Sequence, residues 1–191
     1  SCTLMVKDNS KTFSDVPDNY WGKDAIAFVT ARELFNGISD DQFAPAAPMT
    51  RAMLVTVLHR LEDTPAAKAD AAFPDVDAAA WYADAVAWAS GNGIVTGTGS
   101  GFEPDGQITR EQLAAMLYRY AKLKGYDVSA SADLSGCSDA AKVNTYAVDA
   151  MRWAVAEGLI QGMGGKLNPQ STATRAQVAT ILMRFLELYS K

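Results

Sequence analysis

Met49-Thr50-Arg51-Ala52 returns as Ile108-Thr109-Arg110-Glu111 and again as Ala173-Thr174-Arg175-Ala176. Behind each threonine runs an apolar stripe at i, i+3, i+4, i+7. The stripes are Leu54, Val57, Leu58 and Leu61; Leu113, Met116, Leu117 and Tyr120; Val178, Ile181, Leu182 and Phe185. That period places each set on one face of a helix, ready for burial. The threonine is the natural N-cap. Thr109 with Gln112, and Thr174 with Gln177, have capping-box spacing. Thr50 faces Met53, so it caps without a reciprocal partner.

Outward from this stretch, further landmarks keep the same order. Phe13-Ser14-Asp15-Val16 reappears as Phe73-Pro74-Asp75-Val76. A weaker echo starts at Leu134-Ser135-Gly136, with glycine at the aspartate's place. Trp21, Trp81 and Tyr146 correspond, as do Phe28, Trp88 and Trp153. So do Gly37, Gly97 and Gly162. Phe43-Ala44-Pro45, Phe102-Glu103-Pro104 and Leu167-Asn168-Pro169 precede the three Thr-Arg pairs. Matched landmarks in matched order are the signature of an internal repeat.

Each unit reads as helix, glycine turn, loop, helix. The first helix of copy one is expected over about 21–35. Trp21, Ala25, Phe28 and Val29 share one face, and the pattern recurs from Trp81 and Tyr146. Aromatics at that spacing read as core, Trp21 and Trp81 included, and Trp88 and Trp153 more firmly. Gly93 and Gly158 read as left-handed helix ends. Copy one has Glu33 there, which lets its helix continue to Gly37. One unit cannot hide two apolar stripes alone, whereas three can share a core. The expected fold is all-α, with three helix-loop-helix repeats forming a compact pseudo-threefold (pseudo-trimeric) bundle and the second helices near its axis. The boundaries are a lead-in at 1–12, repeats at 13–63, 73–123 and 134–191, and linkers at 64–72 and 124–133.

Composition narrows the function. The chain is 49% hydrophobic and 20% charged, with a net charge of −5. That balance disfavours broad electrostatic binding of nucleic acid or an anionic membrane. No run is apolar enough to span a bilayer, so no membrane insertion is expected. The chain opens on serine without the basic-then-apolar order of a signal peptide, and reads as a mature fragment or excised domain. Cys2 and Cys137 match no metal spacing, and spacing says nothing about their pairing. His59, the single histidine, reads as a surface residue on a helix. No metal or cofactor is expected, and no Ser-His-Asp, Cys-His or glycosidase carboxylate set stands out. The glycine-rich 97–101 stretch lacks the Gly-Lys-Ser/Thr ending of a phosphate loop. Missing machinery, three times over, points to binding rather than an enzyme.

Arg51, Arg110 and Arg175 carry the functional question. Each sits at the positive end of a helix, where an exposed cation costs ~0.3–1 kcal/mol. Arg60, Arg119 and Arg184 lie near helix C-termini and need no such account. Two readings of the first set stand side by side. One is an ion pair with an aspartate of a neighbouring unit, Asp15 or Asp75. The other is an anionic or hydroxyl-rich ligand held by guanidinium and helix-start N–H groups. Gly37, Gly97 and Gly162 are turn residues first, although a bare backbone also admits a ligand closely.

The whole pattern resembles the S-layer homology domain. Phe-x-Asp-Val, Trp21 or Trp81, the Gly-Ile-like turn, the Phe-x-Pro approach and Thr-Arg-Ala/Glu carry the resemblance over about 13–188. It implies a helical pseudo-trimer that anchors exported proteins non-covalently to bacterial secondary cell wall polysaccharide, often pyruvylated and so anionic. By that resemblance Arg51, Arg110, Arg175, Trp21, Trp81, Asp15, Asp75, Gly37, Gly97 and Gly162 line glycan grooves between repeats. The expected partner is bacterial cell wall polysaccharide, and the chain is expected to belong to a larger surface protein. Met53, Gln112 and Gln177 stand where the family has glutamate, and Tyr146 replaces tryptophan, so unequal grooves are expected, with Arg110 the first choice. A helical interaction scaffold without glycan binding is the alternative, and a wall-active hydrolase ranks last.

Overall fold

The computed structural model describes residues 9–68 and 73–189. Its six α-helices are α1 (Lys23–Ala31), α2 (Arg51–Leu61), α3 (Ala83–Gly91), α4 (Arg110–Leu123), α5 (Val148–Ala156) and α6 (Arg175–Tyr189). Short 3-10 turns at Ala140–Lys142 and Thr145–Ala147 precede α5. No strand occurs among the described residues, so the all-α expectation holds. Cys2 lies outside the described residues, and Cys137 is half-buried. Also outside them are the first eight residues of the expected lead-in and 69–72 of the first linker.

The second helix of each copy starts as its sequence requires. Thr50 Oγ1 accepts from Met53 N at 3.2 Å, with no return bond. Thr109 and Gln112 form the full capping box, at 3.1 and 3.3 Å. Thr174 and Gln177 do the same at 3.0 and 3.3 Å. Such caps contribute ~1 kcal/mol each.

A cap satisfies only part of a helix start, where four N–H groups lack intrahelical partners. The rest reach into another copy. Arg51 N and Ala52 N donate to Gly106 O and Pro104 O; Arg110 N and Glu111 N to Ser171 O and Pro169 O; Arg175 N and Ala176 N to Ala47 O and Pro45 O, all at 2.9–3.0 Å. Just upstream, Met49 N donates to Ala173 O, Ala173 N to Ile108 O and Ile108 N to Met49 O. Each of the three both gives and receives, which closes the circuit. Isolated bridges Pro48–Thr174, Thr50–Gln107 and Thr109–Thr172 mark the same meeting point.

Packing follows the same rotation. α2 lies against α3, α4 against α5, and α6 against α1. Every second helix therefore pairs with the first helix of the following copy, and the last returns to the first. Phe43, Phe102, Trp153 and Phe185 are almost wholly buried. Each is worth ~1.5–3 kcal/mol in burial alone. Glu62, just past α2, accepts from the Tyr120 hydroxyl of α4 at 2.6 Å and pairs with Lys124 at 2.9 Å. Tyr120 stacks 5.9 Å from Phe185 of α6.

Three expectations are corrected. The first helix of copy one stops at Ala31 and does not run on. Glu33 takes the left-handed conformation (φ 58°) that Gly93 and Gly158 take (φ 69° each). Leu34 N then closes on Val29 O, as Ile94 N does on Ala89 O and Leu159 N on Ala154 O. Glutamate accepts a strain of ~1–2 kcal/mol there because the turn is over-determined by its surroundings. Trp21 and Trp81 are not core: they are 63% and 65% exposed, and Tyr146 is 50% exposed. They stand ahead of α1, α3 and α5, so the helical phase that assigned them a buried face does not reach them. Trp88 and Trp153 are buried as expected. His59 is buried instead of superficial. Its Nε2 lies 2.8 Å from Pro65 O and its ring 5.2 Å from Trp88.

Candidate functional site

The Thr-Arg arginines do not take the ion-pair role open at the sequence level. Among the described residues none forms an ion pair with an aspartate. Each guanidinium instead holds the loop of another copy by two backbone carbonyls. Arg51 donates from Nε to Phe102 O (2.8 Å) and from Nη2 to Thr96 O (3.4 Å). Arg110 reaches Leu167 O (2.8 Å) and Gln161 O (2.9 Å). Arg175 reaches Phe43 O (3.0 Å) and Asn36 O (2.7 Å). Arg51 and Arg175 are buried, and Arg110 is half-buried. Burial lowers all three pKa values, partly opposed by nearby negative charge: Glu103 and Asp75 for Arg51, Asp139 for Arg110, Asp15 for Arg175. The charge persists at neutral pH, since a guanidinium is not deprotonated in proteins. Arg175 also stacks on Phe43 at 4.5 Å and Arg51 on Phe102 at 4.8 Å.

The aspartates hold the same loops from behind. Asp15 accepts from Phe43 N and Ala44 N (2.9 and 2.7 Å), and Asp75 from Phe102 N and Glu103 N (2.8 and 2.7 Å). In the third copy Asp139 accepts from Leu167 N and Asn168 N, both at 2.8 Å. Copy three therefore keeps its aspartate, and the echo begins at Cys137-Ser138-Asp139-Ala140 rather than at Leu134. The offset from Asp139 to Leu167 matches that from Asp15 to Phe43, a signal masked by cysteine in the phenylalanine's place. The second acceptor bond falls on Ala44, Glu103 and Asn168, all left-handed at φ 51–57°. The carboxylate thus steadies a backbone conformation that L-residues avoid.

The two N–H groups donating to Asp75 hold its carboxyl below the usual range. Leu167 N–H does the same for Asp139, with burial opposing and Asn168 N–H assisting. A depressed folded pKa stabilises the fold fully above the ordinary value of 3.8, and this stabilisation is lost as pH falls through the lower folded value. Asp139→Asn is therefore expected to lower the melting temperature at neutral pH. The gap to the parent should narrow below about pH 3.8, as thermal melts across an acid series would show. A constant gap would contradict the role given to the charge.

Among the described residues two grooves open where three copies meet. One, of about 210 Å³, is lined by Gly37, Met53 and Arg60 of the first copy, Trp81 of the second and Arg175 of the third. The other, of about 460 Å³, is lined by Gly97, Gln112, Glu111 and Arg119 of the second copy, Tyr146 of the third and Arg51 of the first. The structure thus gathers Arg175 with Gly37 and Trp81, and Arg51 with Gly97 and Tyr146. Arg110 joins the Gly162 loop through Gln161 and Leu167. Trp21 is exposed beside Tyr20. Asp15 and Asp75 line neither of the two grooves.

The glycines serve their own loops first. A Cβ on Gly37 would meet Ser39 O at 2.4 Å, and one on Gly97 would meet Gly101 O at 2.9 Å. Arg60 and Arg119, set aside in the sequence as ordinary C-terminal cations, enter the grooves as lining residues. Arg60 Nη1 donates to Leu34 O (2.9 Å) and Arg119 Nη1 to Ile94 O (3.3 Å). Their matched places behind the helix starts were visible, but nothing in the sequence said which way they reach.

The model of the S-layer homology domain matches residues 12–52, 72–114 and 138–179, three segments that together cover most of the chain. The chain belongs to the S-layer homology family. Relatives agree along nearly its whole length. It is 30% identical to an amylopullulanase of Thermoanaerobacterium thermosulfurigenes, over 93% of this chain and 10% of the enzyme. It is 29% identical to S-layer protein sap of Bacillus anthracis, over 91% of this chain and 21% of that protein. A surface-layer 125 kDa protein of Lysinibacillus sphaericus is 33% identical over 87% of this chain and 14% of its own length. The chain thus spans about a tenth to a fifth of these relatives. S-layer homology repeats are shared by surface-layer proteins and by enzymes in which they form a small part. Their place is the cell surface and cell wall, and their role is that of a non-catalytic anchoring module. No helix among the described residues is long and apolar enough to cross a membrane.

Proposed function

We propose that this chain anchors a larger surface protein by holding an anionic secondary cell wall polysaccharide, pyruvylated on its sugar, in the grooves between its repeats. The repeats at 13–63, 73–123 and 134–191 would stand around a pseudo-threefold axis. The cyclic exchange among Met49, Ala173 and Ile108 supports that arrangement. The observation that carries the binding role is the Arg175 groove. Arg175 and Arg60 bring two cations to a cleft rimmed by Trp81, an indole left 65% exposed. A soluble protein keeps so large an apolar face in water at a cost of roughly 1.5–3 kcal/mol. A sugar ring that lays its C–H face on the indole recovers that cost, while its acidic substituent meets the guanidinium groups.

A scaffold without glycan has one observation in its favour: the arginines spend donors on loop carbonyls. Trp81→Ala separates the two readings, because Trp81 supports no core. Glycan binding predicts that the variant pellets poorly with wall sacculi while its melting temperature stays that of the parent. Stripping the acidic glycan from the sacculi should abolish pelleting of both. Unchanged pelleting by Trp81→Ala would favour the scaffold.

A further inference from the structure

One helix position sets the two grooves apart in charge. Where Ala52 and Ala176 occupy the residue after the Thr-Arg pair, the second copy has Glu111. Its side chain lines the Arg51 groove, yet only 2% of the residue is exposed. A buried carboxylate demands compensation, and ion pairing does not provide it: no lysine or arginine among the described residues pairs with Glu111. Hydrogen bonds do. Asn144 donates from N (3.0 Å) and Nδ2 (2.5 Å), the Tyr146 hydroxyl from 3.3 Å, and Gln170 Nε2 from 3.3 Å. The site is favourable for an anion in a further way, since Glu111 lies in the first turn of α4. A carboxylate so held is a fixed feature of the groove. It commits the aromatic at its mouth, Tyr146, to a bond with the protein. In the Arg175 groove the corresponding places hold apolar Met53 for Gln112 and exposed Trp81 for Tyr146.

We propose that Glu111 is an internal charge filter: it excludes carboxylate-bearing sugars from the Arg51 groove, leaving the Arg175 groove to take them. This rests on the glycan-binding reading above and assigns its two described grooves different selectivity. A carboxylate arriving beside Arg51 and Arg119 meets their attraction but also a like charge that cannot swing away, because four donors hold it. Two like charges a few ångströms apart in a partly buried cleft are worth at least about tenfold in affinity.

Methionines give each groove its own reporter, Met53 lining the Arg175 groove and Met116 the Arg51 groove. Protein carrying ¹³C-methyl methionine would be titrated with a synthetic pyruvylated wall disaccharide. In the parent the Met53 methyl should shift and saturate, and Met116 should not respond in the same range. Glu111→Ala restores the residue of the other two copies, and Glu111→Gln keeps the shape without the charge. In either variant Met116 should respond with at least about tenfold tighter binding, with Met53 unchanged. Circular dichroism identifies a variant that fails to fold, and the other then decides. The filter is overturned if Met116 saturates alongside Met53 in the parent, or stays silent in the folded variants while Met53 responds. Silence of both methyls in every protein would instead overturn the glycan reading itself.

Discussion

Arg175→Met is expected to destabilise the chain by about 3 kcal/mol and to remove glycan binding at its groove. Methionine fills similar space and relieves the guanidinium of its desolvation, so packing loss is not the main effect. What goes is the fork: Nε to Phe43 O and Nη2 to Asn36 O. Hydrogen bonds to a charged donor contribute roughly 1.5–3 kcal/mol each, and orphaned carbonyls keep their desolvation penalty. The stacking on Phe43 and Phe35 goes too. Relief of the buried charge offsets part of this, which leaves the estimate near the lower end of the sum. Arg175→Lys should recover little, because an ammonium cannot span both carbonyls in the fork geometry. Urea unfolding gives the stability, and titration with acidic disaccharide gives the binding. A loss under ~1 kcal/mol would mean that the carbonyls find other donors, water among them, and that the arginine is chiefly a ligand residue.

Gly37→Ala is expected to be the most damaging of the turn substitutions, at about 2–4 kcal/mol. The added Cβ meets Ser39 O at 2.4 Å, Gln42 O at 2.7 Å and Phe13 Cε1 at 2.7 Å. Two of these are backbone atoms of the same loop, so the loop itself must open. Asn36 and Phe43, whose carbonyls hold Arg175, belong to that loop, and the damage spreads to α6. Gly97→Ala should cost less, with its nearest approach at 2.9 Å, and Gly162→Ala least, at 3.2 Å. Melting temperatures for the three variants should rank in that order. Equal losses would show that loop plasticity, rather than the approach distances, sets the cost.

Much of the architecture was legible because its signals are local. A threonine before a 3.6-residue stripe determines a helix start without outside help, and all three second helices begin where that pattern puts them, two of them with the added glutamine at N3. Trp21 and Trp81 were misread for the converse reason. A stripe extrapolated two residues beyond the true helix start assigns a face to a side chain that has none. Glu33 misled by propensity: a left-handed glutamate is rare, and only closure of Leu34 N on Val29 O makes it tolerable. The arginines were recognised as abnormal, since cation and helix dipole conflict within one turn. Their acceptors lie on carbonyls distant in sequence, and no spacing encodes a carbonyl. Asp139 was hidden because its phenylalanine neighbour is replaced by Cys137, although its offset to Leu167 was there to be measured. Glu111 was visible as a departure from alanine, but its burial depends on Asn144 and Gln170, which no helical period links to it.

The bond from Arg175 to Phe43 joins residues separated by 132 positions. An emerging chain meets its first loop early and the arginine that fastens it last. Until α6 arrives, the Phe43 and Asn36 carbonyls lack their guanidinium, α1 lacks its packing partner, and the groove beside Trp81 lacks a wall. Contacts so distant in sequence are slow to form. A chain made available from its N-terminal side would thus remain without this cleft until α6 is in place. Completion of the fold and closure of the cleft become a single event.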